Sequence, residues 1–324
     1  MLLVAFKSLA IQFAIILILL LVLWAILFSI HGSAYGERFL EITMVNLIAP
    51  WVWTFGYGLM TFIMRAGNSL ANDLNQILEP SNTTARVIGK IERSTMHKFA
   101  WPYTVPITIL GVLLTFMYRV PHYGLSYVLI SLGIISIYYV GAFLLFHFVE
   151  VTTAFHMLLE DMTSVTFNRL FSPLHLDNVI SYLSITTILG TIAIYCGFRG
   201  TLTAGFDFHH EVWRFFLTTP LILFLPATFF YNFYPRYVLR KVLQYKLLHY
   251  MTSIVHSEVE DIKSLVADIR DVATVYTQML PFVDYKSLPS YIVAILFVIS
   301  LVYNHDPILK SFFVYLLGLG SGSN

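Results

Sequence analysis

Charged residues are scarce in this chain of 324 residues, where Asp, Glu, Lys and Arg together make up 11% of the total. An ordinary soluble domain carries roughly 25%. The net charge is only +1, so no strong basic or acidic field indicates a nucleic-acid partner. We therefore expect neither a soluble globular domain nor a protein that binds nucleic acid.

Cysteine is almost absent as well. Cys196 is the single cysteine, which excludes an intrachain disulfide and any metal cluster held by several cysteines. The sequence also contains no P-loop, no His-Glu-x-x-His, no Gly-x-Ser-x-Gly and no dinucleotide-binding motif. We predict that the protein is not an enzyme and that it uses no metal and no organic cofactor.

Long apolar runs take the place of the missing charge, since 58% of the residues are hydrophobic. A run of about 18 or more such residues can cross the ~30 Å hydrocarbon core as a helix, whereas barrel strands need an alternation that these runs lack. Seven runs contain no charged residue: Ser8–Ile30, Ile42–Met64, Phe99–Tyr118, Tyr123–Val149, Asn178–Phe198, Phe215–Pro235 and Ser287–Asn304. The pattern predicts an all-α, polytopic membrane protein whose hydrophobic partner is the lipid bilayer.

An eighth apolar segment, Ile308–Leu319, is too short to assign. It fits a short helix packed against the seventh, a re-entrant half-helix or an interfacial tail, and we expect the short helix. The prediction is thus seven or eight transmembrane helices. Ser8–Ile30 is longer than the ~7–15-residue core of a signal peptide, so we expect it to be retained.

The basic residues predict the orientation, because short cytoplasmic loops carry an excess of Lys and Arg. Most of them fall in segments 64–98 and 236–286. With both segments inside, the N-terminus is cytoplasmic and the protein lies in the plasma or inner membrane. Residues 1–235 then form six transmembrane helices as three hairpins, with cytoplasmic connections at 64–98 and 150–177. Residues 281–324 hold the seventh helix and the short apolar segment.

Residues 236–280 are predicted to form one long cytoplasmic helix with a heptad pattern, typical of a coiled coil. An apolar row, the candidate seam, recurs every seven residues at Leu248, Val255, Ile262 and Ile269. A basic row beside it is a candidate surface for a cytoplasmic protein: His249, His256, Lys263 and Arg270. The seam could meet copies of itself in a homo-oligomer, the chain's own cytoplasmic helices at 68–78 and 150–168, or an unrelated protein. We expect self-association.

Few ionisable residues lie near membrane depth. His147 and Glu150 are three residues apart near the inner end of the fourth predicted span, and Asp161 continues their helical face. This face could be a cation-attracting vestibule, part of a metal site, or a face in contact with water. Two ligands are too few for a metal.

Three functions fit these patterns. The first is an oligomeric ion channel or pore, with the cytoplasmic helices as gate or assembly collar, because selectivity built from backbone and small side chains needs few charges. The second is a non-conducting scaffold or sensor that docks a cytoplasmic partner on the basic row. A small transporter is disfavoured, because no carboxylate lies near the middle of a span.

Overall fold

The computed structural model describes residues 1–33, 50–117, 125–163, 165, 173–203, 227, 230–246, 248–249, 252, 266, 270, 288, 292 and 295. These residues are nearly all helical, and no strand occurs among them. The prediction of an all-α protein is confirmed for this part of the chain. Within the described residues six helices have the following bounds: α1 (Leu2–His31), α2 (Pro50–Ile77), α3 (Asn82–Ser94), α4 (His97–Met117), α5 (Leu125–Glu160) and α6 (Pro173–Thr203). Residues 230–246 are also helical and belong to a helix that we label α7.

Three stretches of the described residues are long and apolar enough to cross a membrane: Leu2–Ile30, Tyr138–Glu160 and Leu174–Ala193. They are consistent with membrane association. Many apolar side chains of α1 and α4 are also exposed, among them Phe6, Ile18, Trp101 and Ile109, as expected of surfaces that face lipid. The sixth and seventh predicted spans and segment 308–319 lie largely or wholly outside the described residues.

Two predicted spans continue as helices beyond their apolar parts. The fourth was predicted to end at Val149 and to leave the bilayer as an amphipathic helix, and α5 runs without interruption to Glu160. The second was predicted to end at Met64, and α2 runs on to Ile77. Because a helix satisfies its own backbone hydrogen bonds in lipid and in water alike, it has no reason to stop at the membrane surface.

Local signals explain where the helices end. Gly32 follows α1 with φ of 82°, a left-handed conformation that favours glycine. Ser81 precedes α3, and its Oγ accepts a hydrogen bond from the Thr84 backbone N–H at 3.0 Å, which satisfies a donor that the first turn leaves free. The buried side chains of α3 recur at three- and four-residue steps: Thr83, Thr84, Val87, Ile91 and Ser94. This helix is therefore amphipathic, with one face turned into the protein.

The packing centres on α2, which contacts α1, α3, α5 and α6, while α5 packs against α3 and α4. Leu9 of α1 crosses α2 at Gly58, where an added Cβ would lie 2.6 Å from the leucine Cδ2. One apolar core runs through the bundle and includes the following buried side chains: Leu59, Phe62, Leu70 and Leu74 of α2, Phe143, Phe155 and Leu158 of α5, Val179 and Leu183 of α6, and Val238, Leu239, Val242 and Leu243 of α7. The ends of α2 and α5 and the start of α7 thus form one packed unit.

Candidate functional site

A fully buried polar cluster lies where α3, α5, α6 and α7 meet, with His147 of α5 at its centre. The His147 side chain has no exposed surface. Its Nδ1 lies 2.9 Å from the Ser94 Oγ, and its Nε2 lies 3.1 Å from the Tyr182 hydroxyl and 3.1 Å from the Tyr231 hydroxyl. One imidazole therefore joins four helices through its two ring nitrogens.

The hydrogen bonds around Ser94 assign the histidine tautomer. The Ser94 hydroxyl donates to the Ile91 carbonyl at 2.6 Å, so its only proton is used and its oxygen must accept from His147 Nδ1. A neutral imidazole protonated at Nδ1 has a lone pair at Nε2. That lone pair is the acceptor that the Tyr182 and Tyr231 hydroxyls share. Two donors therefore compete for one acceptor in the protein interior.

Aromatic rings surround the cluster and hold the two phenols in place. The Phe148 ring lies 4.4 Å from the Tyr231 ring, and the Phe62 ring is stacked 5.4 Å from the Tyr182 ring, both between centroids. The Thr186 hydroxyl is also buried, beside the Tyr182 and Tyr231 hydroxyls. Buried rings and hydroxyls thus surround the His147 imidazole, which lies in a dry environment. There a hydrogen bond is strong and an unmade one is costly.

Gly67 of α2 allows the close approach that closes this cluster. A Cβ added at Gly67 would lie 2.1 Å from the Thr95 Cγ2 and 3.6 Å from the Tyr182 hydroxyl. The Thr95 side chain is fixed, because its Oγ1 donates to the Glu92 carbonyl at 2.8 Å. Only glycine permits α2 to pack this closely against the turn between α3 and α4.

The three candidate vestibule residues do not form one site. His147 is enclosed in the cluster, so the alternative that it lies on a face in contact with water is wrong. The Glu150 carboxylate forms an ion pair with the Lys90 ammonium at 3.2 Å, and the Asp161 carboxylate accepts a hydrogen bond from the Thr83 hydroxyl at 2.8 Å. All three face α3, each with a different partner, and their role at a vestibule stays a prediction.

A second polar cluster, which no sequence pattern indicated, joins α2 to the first two turns of α6. The Asp73 Oδ1 lies 2.7 Å from the His175 Nδ1 and accepts from the Asn178 amide at 3.3 Å. Asp73 is buried while His175 is partly exposed. No group of three or more metal-ligating side chains occurs among the described residues. A carboxylate at a helix N-terminus is favourable, which explains the cluster as a structural contact.

The first part of the predicted long helix belongs to α7, which has one buried side and one exposed side. With about 100° between successive residues, one side of α7 carries five buried side chains: Val238, Leu239, Val242, Leu243 and Lys246. Leu248, the first seam residue, lies on the opposite side and is 56% exposed. Burial lowers the pKa of the Lys246 ammonium, and the nearby Glu79 carboxylate opposes that effect.

Two more members of the heptad rows lie among the described residues. In the basic row, His249 and Arg270 are exposed. The other members of the two rows lie outside the described residues: Val255, Ile262 and Ile269 of the seam, and His256 and Lys263 of the basic row. The continuous heptad helix over 236–280 is therefore described only at its start and at isolated later positions.

Comparison with known proteins adds no further identification: no protein-family model, no curated protein and no solved structure matches this chain.

Proposed function

We propose that this protein is a multi-pass membrane scaffold or sensor that assembles with copies of itself through its long helix and docks a cytoplasmic protein on the basic row. The observation that carries the proposal is the position of Leu248, exposed on the side of α7 that faces away from the bundle. The proposed role is non-catalytic. In the proposed arrangement, a packed intracellular bundle lies directly beneath the membrane helices.

The proposed topology is the one that the basic residues favour, with seven or eight spans and a cytoplasmic N-terminus. In this arrangement the second half of α2, α3, the end of α5 and the start of α7 all lie on the cytoplasmic side. Their shared apolar core supports the arrangement, because segments that pack together in water must leave the membrane on the same side. The described helices α1 to α7 would thus form one unit.

The seam residues follow the side of α7 that Leu248 begins, because a seven-residue step returns to nearly the same side of a helix. Val266 is also exposed, at 51%. It lies eighteen residues after Leu248, which is five full turns on the helix that the sequence predicts. The internal bundle was the competing partner for the seam. It loses support because the bundle already occupies the other side of α7, so a second copy of the chain is the partner that we propose.

The basic row lies next to the seam, and its described members, His249 and Arg270, are exposed. In a parallel coiled coil, residues beside the seam stay at the surface and determine the choice of partner. We propose that an acidic surface of a cytoplasmic protein binds there once the coiled coil has formed.

The channel hypothesis draws less support from the geometry. A ring of carboxylates attracts cations only when those carboxylates keep their net charge, and Glu150 is paired with Lys90. A channel stays a prediction, and cation flux through liposomes containing the protein is the measurement that would establish it.

The oligomer is tested by placing two charges in the seam. Val255→Asp with Ile262→Asp would bury two carboxylates at a dry interface, at a cost of several kcal/mol. We expect native mass spectrometry to report a mass reduced toward the monomer. The matched control is Ser257→Asp with Ser264→Asp, which adds the same charge about 200° round the same helix. An unchanged mass for the seam variant, or an equal loss for the control, would contradict self-association through the seam.

A further inference from the structure

The outer face of α3 carries cations that have no counter-ion in the part of the chain that the structure describes. Arg86 and Arg93 are exposed and seven residues apart, so they share one side of the helix. Lys98 is exposed just beyond the end of α3. None of the three forms an ion pair with another described residue. Lys90 differs, because its ammonium is neutralised by Glu150 at 3.2 Å.

The contacts of α3 with α5 determine where these cations lie along the bundle axis, relative to the apolar part of α5. The last turn of α3 reaches His147 through Ser94, while the first turn reaches Asp161 through Thr83. The helix therefore runs antiparallel to the polar end of α5. Arg93 lies next to Ser94, at the level where the apolar part of α5 ends, and Arg86 lies two turns lower.

The residues that follow Lys98 mark a membrane surface. Phe99, Trp101 and Tyr103 are 38%, 61% and 51% exposed, and aromatic side chains concentrate where hydrocarbon meets the headgroups. The Lys98 ammonium lies 4.9 Å from the centre of the Phe99 ring, a cation–π contact that keeps the charge beside the apolar surface. Cations and exposed rings are thus adjacent at one end of α4.

We infer that Arg86, Arg93 and Lys98 form a binding site for the phosphate of an anionic phospholipid. A guanidinium donates two parallel hydrogen bonds to a phosphate, and the exposed rings of α4 lie where the lipid's acyl chains begin. Glu92 is the exposed acidic residue of α3, and it lies about 100° round the helix from Arg93, so its carboxylate does not neutralise this face. The inference rests on the proposed placement of α4 in the membrane, and it is independent of the coiled coil.

The test measures lipid retained by the intact protein. Purified protein is released for native mass spectrometry from micelles that contain equal amounts of phosphatidylglycerol and phosphatidylcholine. We expect the wild type to retain phosphatidylglycerol in preference to phosphatidylcholine, and the preference to weaken at high salt because the charges are screened. The variant Arg86→Gln, Arg93→Gln, Lys98→Gln should lose about five-fold in preference for each cation removed, on the order of a hundred-fold in total.

The control variant removes three exposed cations elsewhere: Lys7→Gln, Arg65→Gln and Lys241→Gln. It carries the same change in net charge and should keep most of the preference for phosphatidylglycerol. An equal loss in this control would overturn the site, since binding would then follow net charge alone. Equal retention by the wild type and the α3 variant would overturn it as well.

Two further readouts distinguish the lipid site from a site for free phosphate and from the coiled coil. Inorganic phosphate added to the micelles should not displace the lipid, and displacement would overturn a lipid site in favour of a site for free phosphate. The same spectra report the mass of the protein assembly. A lost oligomer with retained lipid preference would refute the proposed coiled coil alone, and an intact oligomer without preference would refute the lipid site alone.

Discussion

Because two tyrosine hydroxyls share His147 Nε2 as their acceptor, we predict that either hydroxyl can be removed at little cost while the other remains. Tyr182→Phe and Tyr231→Phe each remove one hydroxyl at 3.1 Å from that nitrogen. Because Nε2 offers one lone pair, the remaining hydroxyl can take the whole acceptor. We expect each single variant to be almost as stable as the wild type and the double variant to be clearly less stable.

The magnitude follows from what each substitution leaves behind. Phenylalanine keeps the ring, so the contacts of Tyr182 with Phe62 and of Tyr231 with Phe148 persist. A single variant should therefore lose about 0–1 kcal/mol, the net worth of one shared hydrogen bond. The double variant leaves a buried nitrogen without a donor, which costs about 1–3 kcal/mol. The double loss should exceed the sum of the single losses by roughly 1 kcal/mol or more.

The assay is a double-mutant cycle measured by SDS titration of the purified protein in detergent, which gives a free energy of unfolding for each variant. Tyr245→Phe is the control, since Tyr245 is 38% exposed and should tolerate the loss of its hydroxyl. Additive losses of about 1 kcal/mol or more from each tyrosine would mean that each hydroxyl has its own acceptor. A neutral double variant would mean that Nε2 is protonated or has another donor. Either result would refute the shared acceptor at Nε2 as the reason for the redundancy.

The remaining predictions concern packing and topology. Gly67→Ala should be less stable than Gly89→Ala by about 1–3 kcal/mol in the same titration. The added methyl group meets the fixed Thr95 side chain at position 67, whereas it meets nothing within 4 Å at position 89. Equal stability of the two variants would contradict the close approach of α2. Single cysteines replacing the exposed Asn82 and Gln244, in a Cys196→Ala background, should resist an impermeant thiol reagent in intact cells, and labelling of both from outside would reverse the topology.

The helices were predictable because the membrane leaves the chain few alternatives. An uncharged run long enough to cross the bilayer must satisfy its own backbone, so its composition alone predicts a helix. The extension of α5 to Glu160 was predictable too, since its apolar residues continue at helical spacing. The number of spans stays a prediction, because the sixth and seventh predicted spans lie largely outside the described residues.

The central cluster was not predictable, because its members are remote in sequence. Ser94, Tyr182 and Tyr231 are 53, 35 and 84 residues from His147. Serine and tyrosine are common in this chain, and nothing in their local spacing distinguishes these three from the others. Their meeting depends on how four helices pack, and on the glycine at position 67 that lets α2 come close. The local sequence identified the histidine but not the residues around it.

The polar face of α5 illustrates why a pattern of polar residues can be misinterpreted. A polar face on an amphipathic helix usually meets water, but here it meets α3, which is amphipathic as well. Along the polar face of α5 and just beyond its end, His147 pairs with Ser94, Glu150 with Lys90 and Asp161 with Thr83. Both sets fall at helical spacing and pair in opposite order, as antiparallel neighbours must. Two complementary polar rows in consecutive amphipathic helices therefore predict a contact between those helices before they predict a vestibule, and this signal was already present in the sequence.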